Sequence, residues 1–403
     1  MIVDGHMQYV FDETGKRYLD GLAGIVSVSA GHCHPTVMEA VNKQNSHLQH
    51  VTTIYLHPNI GLFAEKLTST LPDGLDVVYF TNSGSEANDL AILMARAYTK
   101  NFDVIALRNA YHGGSQGAMG LTAHSTWKYS VPHGFGIHHA VTPDRYRGHF
   151  GYDAPESGEE YAKDVQDVIQ RGSSGLIAAF IAEPMQGVGG VIEMPPRYLK
   201  RAYQYVRDAG GVCIADEVQT GFGRTGESFW GFENSDVVPD MVVMAKGIGN
   251  GCPLAAVVTT KEIAQSMTEA IHFNTFGGNP VSCAEGLATL EVLLEDDMQG
   301  NSKRLGDKLL AGLRKLKEQY SCIGDVRGMG LMVGLELIED DDKTPATELT
   351  ANVLETCKDL GLLIGKGGFF GHVIRITPPM CLTQEDIEFM LEVLGEAFAK
   401  ESK

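Results

Sequence analysis

One lysine in the sequence lies where an amine can do chemistry. Lys246 follows the apolar run MVVMA and precedes the glycine-rich segment GIGNG. An apolar run that ends in such a turn predicts a buried strand that opens at the edge of a sheet. Burial penalises an ammonium group and lowers its pKa, so a lysine at this point becomes a usable amine for a Schiff base. For this segment alone, the alternative is a surface lysine just past a strand.

Two acids end another apolar run, VCIADE. Asp216 and Glu217 would destabilise a buried strand end unless they are paired. A carboxylate held deep at such a point can keep a heterocyclic nitrogen protonated. The alternative interpretations of this pair are a helix cap and a salt bridge.

Two further strand ends carry groups that suit a phosphate and a flat ring. After VVYFTN the chain reads SGSEAN, and Ser83 and Glu86 have the spacing of a capping box at a helix start. Backbone N–H groups at Gly84 and Ser85 can bind an anion, although no GxxxxGK[ST] Walker loop is present. After VIALRN, Tyr111 can stack on a flat cofactor. Taken singly, the first feature is also an ordinary capped helix and the second a packing tyrosine.

Together, these groups match the requirements of pyridoxal phosphate. The cofactor's phosphate suits a helix N-terminus, its ring a flat partner, its pyridine nitrogen an acid and its aldehyde a lysine. Asp216 would keep the ring cationic, so that the ring accepts the electron pair released when a Cα bond breaks. Lys246 would then move the Cα proton as a general base and acid.

The elements that position these residues are successive apolar runs in one region of the chain. Between residues 77 and 260 such runs alternate with amphipathic stretches, which predicts a mostly parallel sheet covered by helices. The runs are VVYFTN, VIALRN, LIAAFIAE, VCIADE, MVVMAK and LAAVVTT. Ligands bind beyond the carboxyl ends of the strands in such sheets, so the candidate groups should meet at one edge.

The pattern changes near residue 285. Long helical stretches are predicted from about residue 280 to 295 and from 301 to 319, followed by the strand-like runs LMVGLEL and HVIRIT and a last helix near Thr383. We predict three segments. They are residues 1–48, an N-terminal segment with a hairpin that packs with the small domain; residues 49–291, a large cofactor-binding domain; and residues 292–403, a small α+β domain.

Composition restricts the class of partner. The net charge of -19 argues against nucleic acid and against an anionic membrane surface. No stretch reaches the ~18 apolar residues of a membrane helix, and no secretory signal or transit peptide is visible. The seven cysteines form no CxxC pair, which is typical of free thiols in a reducing compartment. We expect no metal at His32-Cys33-His34, because adjacent side chains point in different directions.

Several blocks of the sequence resemble the signature of class III pyridoxal-phosphate aminotransferases of fold type I. The blocks are ADEVQTGFGRTG, PDMVVMAKGIGNGCPLAAV, SGSEAN, NAYHG, AEPMQG and NTFGGNP, and the resemblance covers nearly the whole chain. The runs GLAGIVSVSAGHCHP and LQHVTTIYLH are most similar to the subgroup of type 2 alanine–glyoxylate aminotransferases. The resemblance implies an α/β fold with a mostly parallel seven-stranded sheet flanked by helices, and a smaller α+β domain.

The resemblance also implies residue roles around the cofactor. Lys246 would carry the Schiff base, and Asp216 would pair with the pyridinium nitrogen. Gln219 would contact the ring hydroxyl. Gly84 and Ser85 would hold the phosphate.

Further implied roles concern the ring face, the partner subunit and the substrate. Tyr111 would stack on the ring. Thr275 would reach the phosphate of the neighbouring subunit, which implies a homodimer or a dimer of dimers. Arg375 would bind the substrate carboxylate, and the planar fork of an arginine suits a carboxylate because it donates two parallel hydrogen bonds. Glu183 is expected to be a supporting acid, and a direct contact by His112 is left open.

Two departures from the family pattern bear on the substrate and on assembly. In ornithine and 4-aminobutyrate aminotransferases, a glutamate after the AEPxQ block covers the carboxylate-binding arginine; here that position is Val188. Arg375 is therefore expected to take α-carboxylates in both half-reactions, which favours alanine, glyoxylate and pyruvate. Relatives usually carry a further segment before GHMQYVFDE, and we expect its absence here to affect the active-site cover or the dimer contact.

The predicted function is a transaminase with ping-pong kinetics that moves an amino group from an amino acid such as L-alanine to a 2-oxo acid such as glyoxylate. The alternative on the same fold is an omega-aminotransferase for β-alanine or 4-aminobutyrate, or an aminomutase. A nicotinamide-dependent oxidoreductase would need GxGxxG where SGSEAN stands. A non-catalytic binding protein would have no need of Lys246 and Asp216. The resemblance implies a mitochondrial location; otherwise we expect a cytoplasmic one.

Overall fold

The computed structural model describes residues 1–402. The strands are β1 (Ile2–His6), β2 (Tyr9–Asp12), β3 (Arg17–Asp20), β4 (Val77–Thr81), β5 (Asp103–Leu107), β6 (Ile137–Ala140), β7 (Ile177–Ala182), β8 (Met185–Gln186), β9 (Ile192–Glu193), β10 (Val212–Asp216), β11 (Met241–Met244), β12 (Ala255–Thr259), β13 (Ile323–Met329), β14 (Met332–Leu337), β15 (Leu362–Leu363), β16 (Gly365–Gly367) and β17 (Val373–Ile376). The helices are α1 (Ala23–Val26), α2 (Pro35–His47), α3 (Pro58–Thr68), α4 (Gly84–Thr99), α5 (Gln116–Leu121), α6 (Ser157–Asp167), α7 (Tyr198–Asp208), α8 (Lys261–Ser266), α9 (Pro280–Glu295), α10 (Met298–Gln319), α11 (Thr347–Asp359) and α12 (Gln384–Glu401). All four residues of α1 have positive φ, so this element is a left-handed turn.

The central sheet has seven strands in the order β4-β12-β11-β10-β7-β5-β6. Strands β11, β10, β7, β5 and β6 pair in parallel, whereas β12 is antiparallel to both of its neighbours, β11 and β4. Six strands therefore share one direction, and the predicted mostly parallel sheet is confirmed. The carboxyl ends of β4, β5, β10 and β11 lie at the same edge.

Both faces of this sheet are covered by helices, as the apolar runs predicted. Every residue of β7 is buried, and successive side chains point to opposite faces. Phe180 packs in one core with residues of α7 such as Tyr203, while Ile181 packs in the other core with residues of α4 such as Leu90. Each large apolar side chain buried in this way stabilises the fold by about 1.5–3 kcal/mol.

One strand of the central sheet has no counterpart among the six apolar runs. β6 has the sequence IHHA, and its two histidines hide the hydrophobic pattern. It is an edge strand, and β5 is the only strand among residues 1–402 that pairs with it. An edge position tolerates polar side chains that a central strand would not.

Two smaller sheets are built from the ends of the chain. The predicted N-terminal hairpin is present, because β2 and β3 pair antiparallel. β3 then pairs in parallel with β15, which joins the N-terminal segment to the C-terminal region. Strands β13, β14, β17 and β16 form the other sheet. The domain boundaries after residues 48 and 291 stay a prediction.

The last helix, α12, begins where the sequence predicts. The Thr383 side chain accepts a hydrogen bond from the Asp386 N–H at 3.3 Å, and the Asp386 carboxylate accepts one from the Thr383 N–H at 2.8 Å. This reciprocal pair is a capping box. No helix among residues 1–402 is long and apolar enough to cross a membrane.

Candidate active site

Lys246 lies just beyond the end of β11, at the edge of the sheet where ligands are expected. Its backbone is left-handed, with φ of 51°, and it starts a short 3-10 turn, Lys246–Gly249. Burial and, to a smaller extent, the Arg375 guanidinium lower the pKa of Lys246 to about 8, against the opposing charges of Glu183 and Asp216. An amine with such a pKa is partly neutral in mildly alkaline solution, whereas an ordinary lysine is almost fully protonated.

Asp216 is the last residue of β10 and is 2% exposed. Its Oδ2 accepts a hydrogen bond from the Asn88 side-chain amide at 3.0 Å, and its Oδ1 accepts one from the Val218 N–H at 3.1 Å. His112 Nδ1 lies 2.6 Å from the same Oδ2. The buried acid is therefore held in place by three neighbours, as burial of a carboxylate requires.

His112 contacts this acid directly, a partner that the sequence did not identify. Burial opposes the imidazolium form, but the hydrogen bond and negative charge of Asp216 outweigh it and raise the pKa of His112. His112 Nε2 is buried without a hydrogen-bond partner among residues 1–402. The contact with Asp216 thus favours the imidazolium form of His112.

The N-terminus of α4 forms another wall of the site. The Ser83 side chain accepts a hydrogen bond from the Glu86 N–H at 3.2 Å, but the Glu86 carboxylate accepts one from the Asn82 N–H, at 2.7 Å. The predicted capping box is therefore only half formed. The N–H groups of the first turn, at Gly84 and Ser85, have no partner within the helix and remain free for an anion.

Gly113 packs directly against this helix start. A Cβ at Gly113 would collide with the Ser85 side chain, and its φ of 129° suits glycine. The Gly114 N–H donates to Ser85 Oγ at 3.1 Å. The loop after β5 and the start of α4 therefore approach closely enough to form one concave surface.

Tyr111 lines the same cavity, and Glu183 binds its backbone. The Glu183 carboxylate is buried and accepts hydrogen bonds from the Tyr111 N–H at 3.2 Å and the Gly187 N–H at 2.9 Å. Burial is the main cause that raises the pKa of Glu183. The Tyr111 ring meets the Trp127 ring edge-on, with centroids 5.3 Å apart. Glu183 thus links two loops of the site through their backbones.

Arg375 lies on β17 and is 4% exposed. Its Nη2 donates to the Gln219 side-chain oxygen at 2.6 Å, and its Nε is buried without a hydrogen-bond partner in the described part of the chain. No carboxylate among residues 1–402 forms an ion pair with it: Glu183 is near enough to affect its pKa, but uses both oxygens elsewhere. Burial lowers the pKa of Arg375 to about 10, so it remains charged near neutral pH. A buried cation with an unused donor is stabilised by a bound anion, because an uncompensated buried charge is unfavourable.

Six of the predicted residues line one cavity of about 180 Å³, which is several times the ~30 Å³ that a water molecule occupies in the liquid. They are Gly84, Ser85, Tyr111, Asp216, Gln219 and Lys246. Arg375 does not line it but touches it through Gln219. Thr275 does not line it either; it is exposed on the loop before α9.

Three residues of this cavity were not singled out from the sequence. Asn88 is a buried amide on the otherwise apolar inner face of α4, and that contrast is a signal that the sequence contained. Gly113 belongs to a pair of glycines after Tyr111, which marks a turn without showing what approaches it. Val218 lines the cavity as an apolar side chain between Asp216 and Gln219, and no local pattern distinguishes it.

Comparison with known proteins decides the family. The sequence model described as Aminotransferase class-III matches residues 1–398. The chain belongs to this family. This aminotransferase is 55% identical over 400 residues to alanine–glyoxylate aminotransferase 2 homolog 2, mitochondrial, of Arabidopsis thaliana, covering 99% of the chain and 83% of the relative. It is 46% identical over 422 residues to human mitochondrial alanine–glyoxylate aminotransferase 2, covering 99% and 82%.

Solved structures agree in fold. An amine transaminase from an uncultivated Pseudomonas species, described in its pyridoxal-phosphate-bound internal aldimine form, superposes with a TM-score of 0.93 at 32% identity. That comparison covers 100% of this chain and 95% of the other. The aminotransferase is therefore a fold type I enzyme of transamination with pyridoxal phosphate as its cofactor, as the sequence predicted.

The cavity fits this cofactor in its own geometry. The approach of Gly113 to Ser85 leaves a concave surface at the N-terminus of α4 that a Cβ would fill. A buried carboxylate, Asp216, and an amine of lowered pKa, Lys246, line the same space. These are the groups that bind a phosphate, a ring nitrogen and an aldehyde.

Proposed function

We propose that this aminotransferase transfers the amino group of L-alanine to glyoxylate. The proposal is supported by the names of the curated relatives, which are alanine–glyoxylate aminotransferases at 46–55% identity. The observation that carries it in this chain is the buried guanidinium of Arg375, which has no carboxylate partner among residues 1–402. In the family pattern, position 188 would cover this arginine with a glutamate, and here it is a valine. Both substrates are small α-carboxylates, which this arginine can bind in turn.

Lys246 and Asp216 are proposed as the catalytic residues. When bound, pyridoxal phosphate supplies an aldehyde carbon for the amine and a ring that accepts electrons. Lys246, with a pKa of about 8, is partly neutral and can act as a nucleophile, and once released it can move the substrate Cα proton. Asp216, backed by His112, supplies the negative charge that holds a proton on a ring nitrogen.

The remaining predicted contacts are proposed in the same site. Gly84 and Ser85 would bind the phosphate through the N-terminus of α4. Tyr111 would stack on the ring. Gln219 would contact the ring oxygen through its amide nitrogen, because its amide oxygen already accepts from Arg375.

Arg375 is proposed to bind the substrate carboxylate, and Val188 to keep it available. A valine side chain has no charge to pair with the guanidinium. The arginine would therefore take the carboxylate of the amino donor and then that of the 2-oxo acid. This disfavours 4-aminobutyrate as a donor, because a terminal amine places its carboxylate further from the reacting carbon.

A homodimer is proposed as the working assembly, with Thr275 contributing to the phosphate site of the neighbouring subunit. The support is an exposed apolar surface around this threonine. Ile271 is 98% and Leu56 103% exposed, and the Phe276 ring lies 5.1 Å from the His50 ring, which joins the loop 48–57 to the loop 270–279. Exposed apolar side chains on neighbouring loops are typical of an interface.

The subcellular location and the division into domains are also proposals. Both curated relatives cited above are named mitochondrial, which supports a mitochondrial location. The division at residues 48 and 291 is supported by the seven-stranded sheet, whose strands all lie between residues 77 and 259.

The test is the near-visible absorbance of the holoenzyme in each half-reaction. L-Alanine alone should bleach the cofactor band, and glyoxylate should restore it. Lys246→Ala should remove turnover and leave the melting profile of a folded protein, while Lys261→Ala, an exposed surface lysine, should behave as the unaltered enzyme. Substantial transamination by Lys246→Ala would overturn the assignment.

The same measurement separates the alternative substrates. If alanine leaves the band unchanged while β-alanine or 4-aminobutyrate bleaches it, the enzyme is an omega-aminotransferase and the proposed role of Val188 is wrong. If a β-amino acid is isomerised without release of a 2-oxo acid, the enzyme is an aminomutase.

A further inference from the structure

Arg327 is a buried arginine that the reaction above does not use. It lies on β13 and is 5% exposed. Its Nε donates to the backbone carbonyls of Gly190 at 2.9 Å and Val191 at 3.0 Å, and its Nη2 donates to the Gly190 carbonyl at 2.7 Å. Its remaining contacts are with the carboxylates of Asp325, at 3.0 Å, and Glu336, at 2.7 Å. The guanidinium thus ties a backbone segment to a pair of acids.

The segment that it binds, residues 187–191, is called the 187–191 segment below and has an unfavourable backbone. Val191 has φ of 56°, a region that a β-branched residue rarely adopts, and Gly190 has φ of 112°. Such a conformation persists only where the surrounding structure enforces it. The three hydrogen bonds from Arg327 fall on these two residues.

The other end of the segment touches the surroundings of the carboxylate-binding arginine. The Val188 carbonyl accepts a hydrogen bond from the Gly368 N–H at 2.9 Å. At the neighbouring Gly367, an added Cβ would lie 2.5 Å from Arg375 Cδ and 3.1 Å from the Val188 carbonyl oxygen. At Gly187, an added Cβ would lie 2.5 Å from the Gln219 amide. The segment therefore packs directly against Gln219, and it borders Arg375 through Gly367 and Gly368.

We propose that Arg327 is a positioning residue for the substrate carboxylate. By holding the 187–191 segment, it fixes the surface on which Arg375 and Gln219 lie, and so fixes the direction of the Arg375 guanidinium. The inference rests on the proposed function, in which Arg375 binds that carboxylate.

The chemistry of the cluster favours this role over a purely stabilising one. A buried ion pair is weak evidence of stability, because apolar replacements of similar size are often as stable. Glu336 also has Arg147 and His372 as partners. What only Arg327 provides is a planar fork of donors directed at two carbonyls, which a lysine cannot reproduce.

The test is the second-order rate constant of the L-alanine half-reaction, measured by cofactor absorbance with holoenzyme at low alanine. Arg327→Lys should lower it about tenfold and raise the inhibition constant of propionate, a carboxylate without an amino group, by a similar factor. The matched control is Arg147→Gln, which alters the same cluster at Glu336 without touching the segment, and it should change either value less than twofold. If Arg327→Lys does not fold, Arg327→Met with Glu336→Met removes both charges together and should give the same result.

A double-mutant cycle shows whether the effect passes through Arg375. In an Arg375→Ala background, Arg327→Lys should lower the rate constant by less than twofold. If Arg327→Lys lowers the rate constant tenfold in that background, the inference is overturned while the proposed function stands. The same holds if Arg327→Lys does not lower the rate constant when Arg375 is present. If Arg375→Ala itself leaves the rate constant and the propionate inhibition unchanged, the proposed carboxylate role fails, and the inference fails with it.

Discussion

At the scale of single residues, the site depends on how one charge changes the pKa of another. Arg375 is the second cause, after burial, of the lowered pKa of Lys246. Arg375→Met should therefore raise that pKa. The neutral amine is the form that reacts with the cofactor aldehyde, so the rate at which apoprotein binds pyridoxal phosphate should rise with pH through a midpoint near 8 in the unaltered protein.

In Arg375→Met that midpoint should move to higher pH, and stopped-flow absorbance between pH 6 and 10 measures it. Arg314→Met removes an exposed arginine on α10 and serves as the control, with no shift expected. An unshifted midpoint in Arg375→Met would show that burial alone sets the pKa.

A second prediction at this scale concerns His112. The pKa of His112 is higher in the folded protein than the value of about 6.5 in the unfolded chain. The protonated histidine therefore stabilises the apoprotein fully below pH 6.5. This contribution to stability disappears as the pH rises through the folded pKa. His112→Gln should therefore lower the melting temperature most in acid and least in alkali, by an amount that corresponds to about 1–3 kcal/mol for a lost bond to a buried charge.

His139 is the matched control for this prediction, because burial lowers its pKa to about 4. The pH dependence of its contribution to stability is then opposite. Between pH 4 and 6.5, His139 is protonated in the unfolded chain but not in the folded protein. The unaltered protein therefore gains stability relative to His139→Gln as pH rises from 4 to 6.5. Thermal melts across pH 5–9 compare the two variants. Parallel pH profiles for both would contradict the geometry at Asp216.

At the scale of elements, the close approach of one loop to α4 makes the proposed phosphate site. Gly113→Ala places a methyl group against Ser85, and should lower the affinity of apoprotein for pyridoxal phosphate at least tenfold. Gly114→Ala is the control, since a Cβ there meets nothing within 4 Å. The affinity for pyridoxal, which lacks the phosphate, should fall less than threefold in Gly113→Ala. Equal losses for both ligands would place the phosphate elsewhere.

At the scale of the whole molecule, the exposed apolar surface around Thr275 predicts assembly. Sedimentation should give a molar mass twice the 43.6 kDa of the chain. Leu56→Asp should yield monomers with reduced cofactor affinity, because a charge in an apolar interface costs desolvation energy. Leu176→Asp, at another exposed leucine, should remain dimeric and active. A monomeric, fully active unaltered chain would contradict the proposal, as analytical ultracentrifugation can show.

The sequence alone determined most strands of the central sheet and the polar side chains that follow them. Apolar runs and their turns are local patterns, so Lys246 and Asp216 could be assigned to strand ends, and the direction of parallel strands then brought them to one edge. Apolar runs did not predict β6, because two histidines in this edge strand interrupt the apolar pattern. The sequence also predicted a full capping box at Ser83 that the structure forms only in half.

Only the tertiary structure decided which groups touch. His112 and Asp216 are 104 positions apart, Gln219 and Arg375 are 156 apart, and Arg327 and Gly190 are 137 apart. Such contacts depend on how the chain closes over long separations and on side-chain directions, neither of which leaves a period in the sequence. The residues proposed to do the chemistry were thus visible in the sequence, whereas the contacts that orient them and change their pKa values were found only in the folded chain.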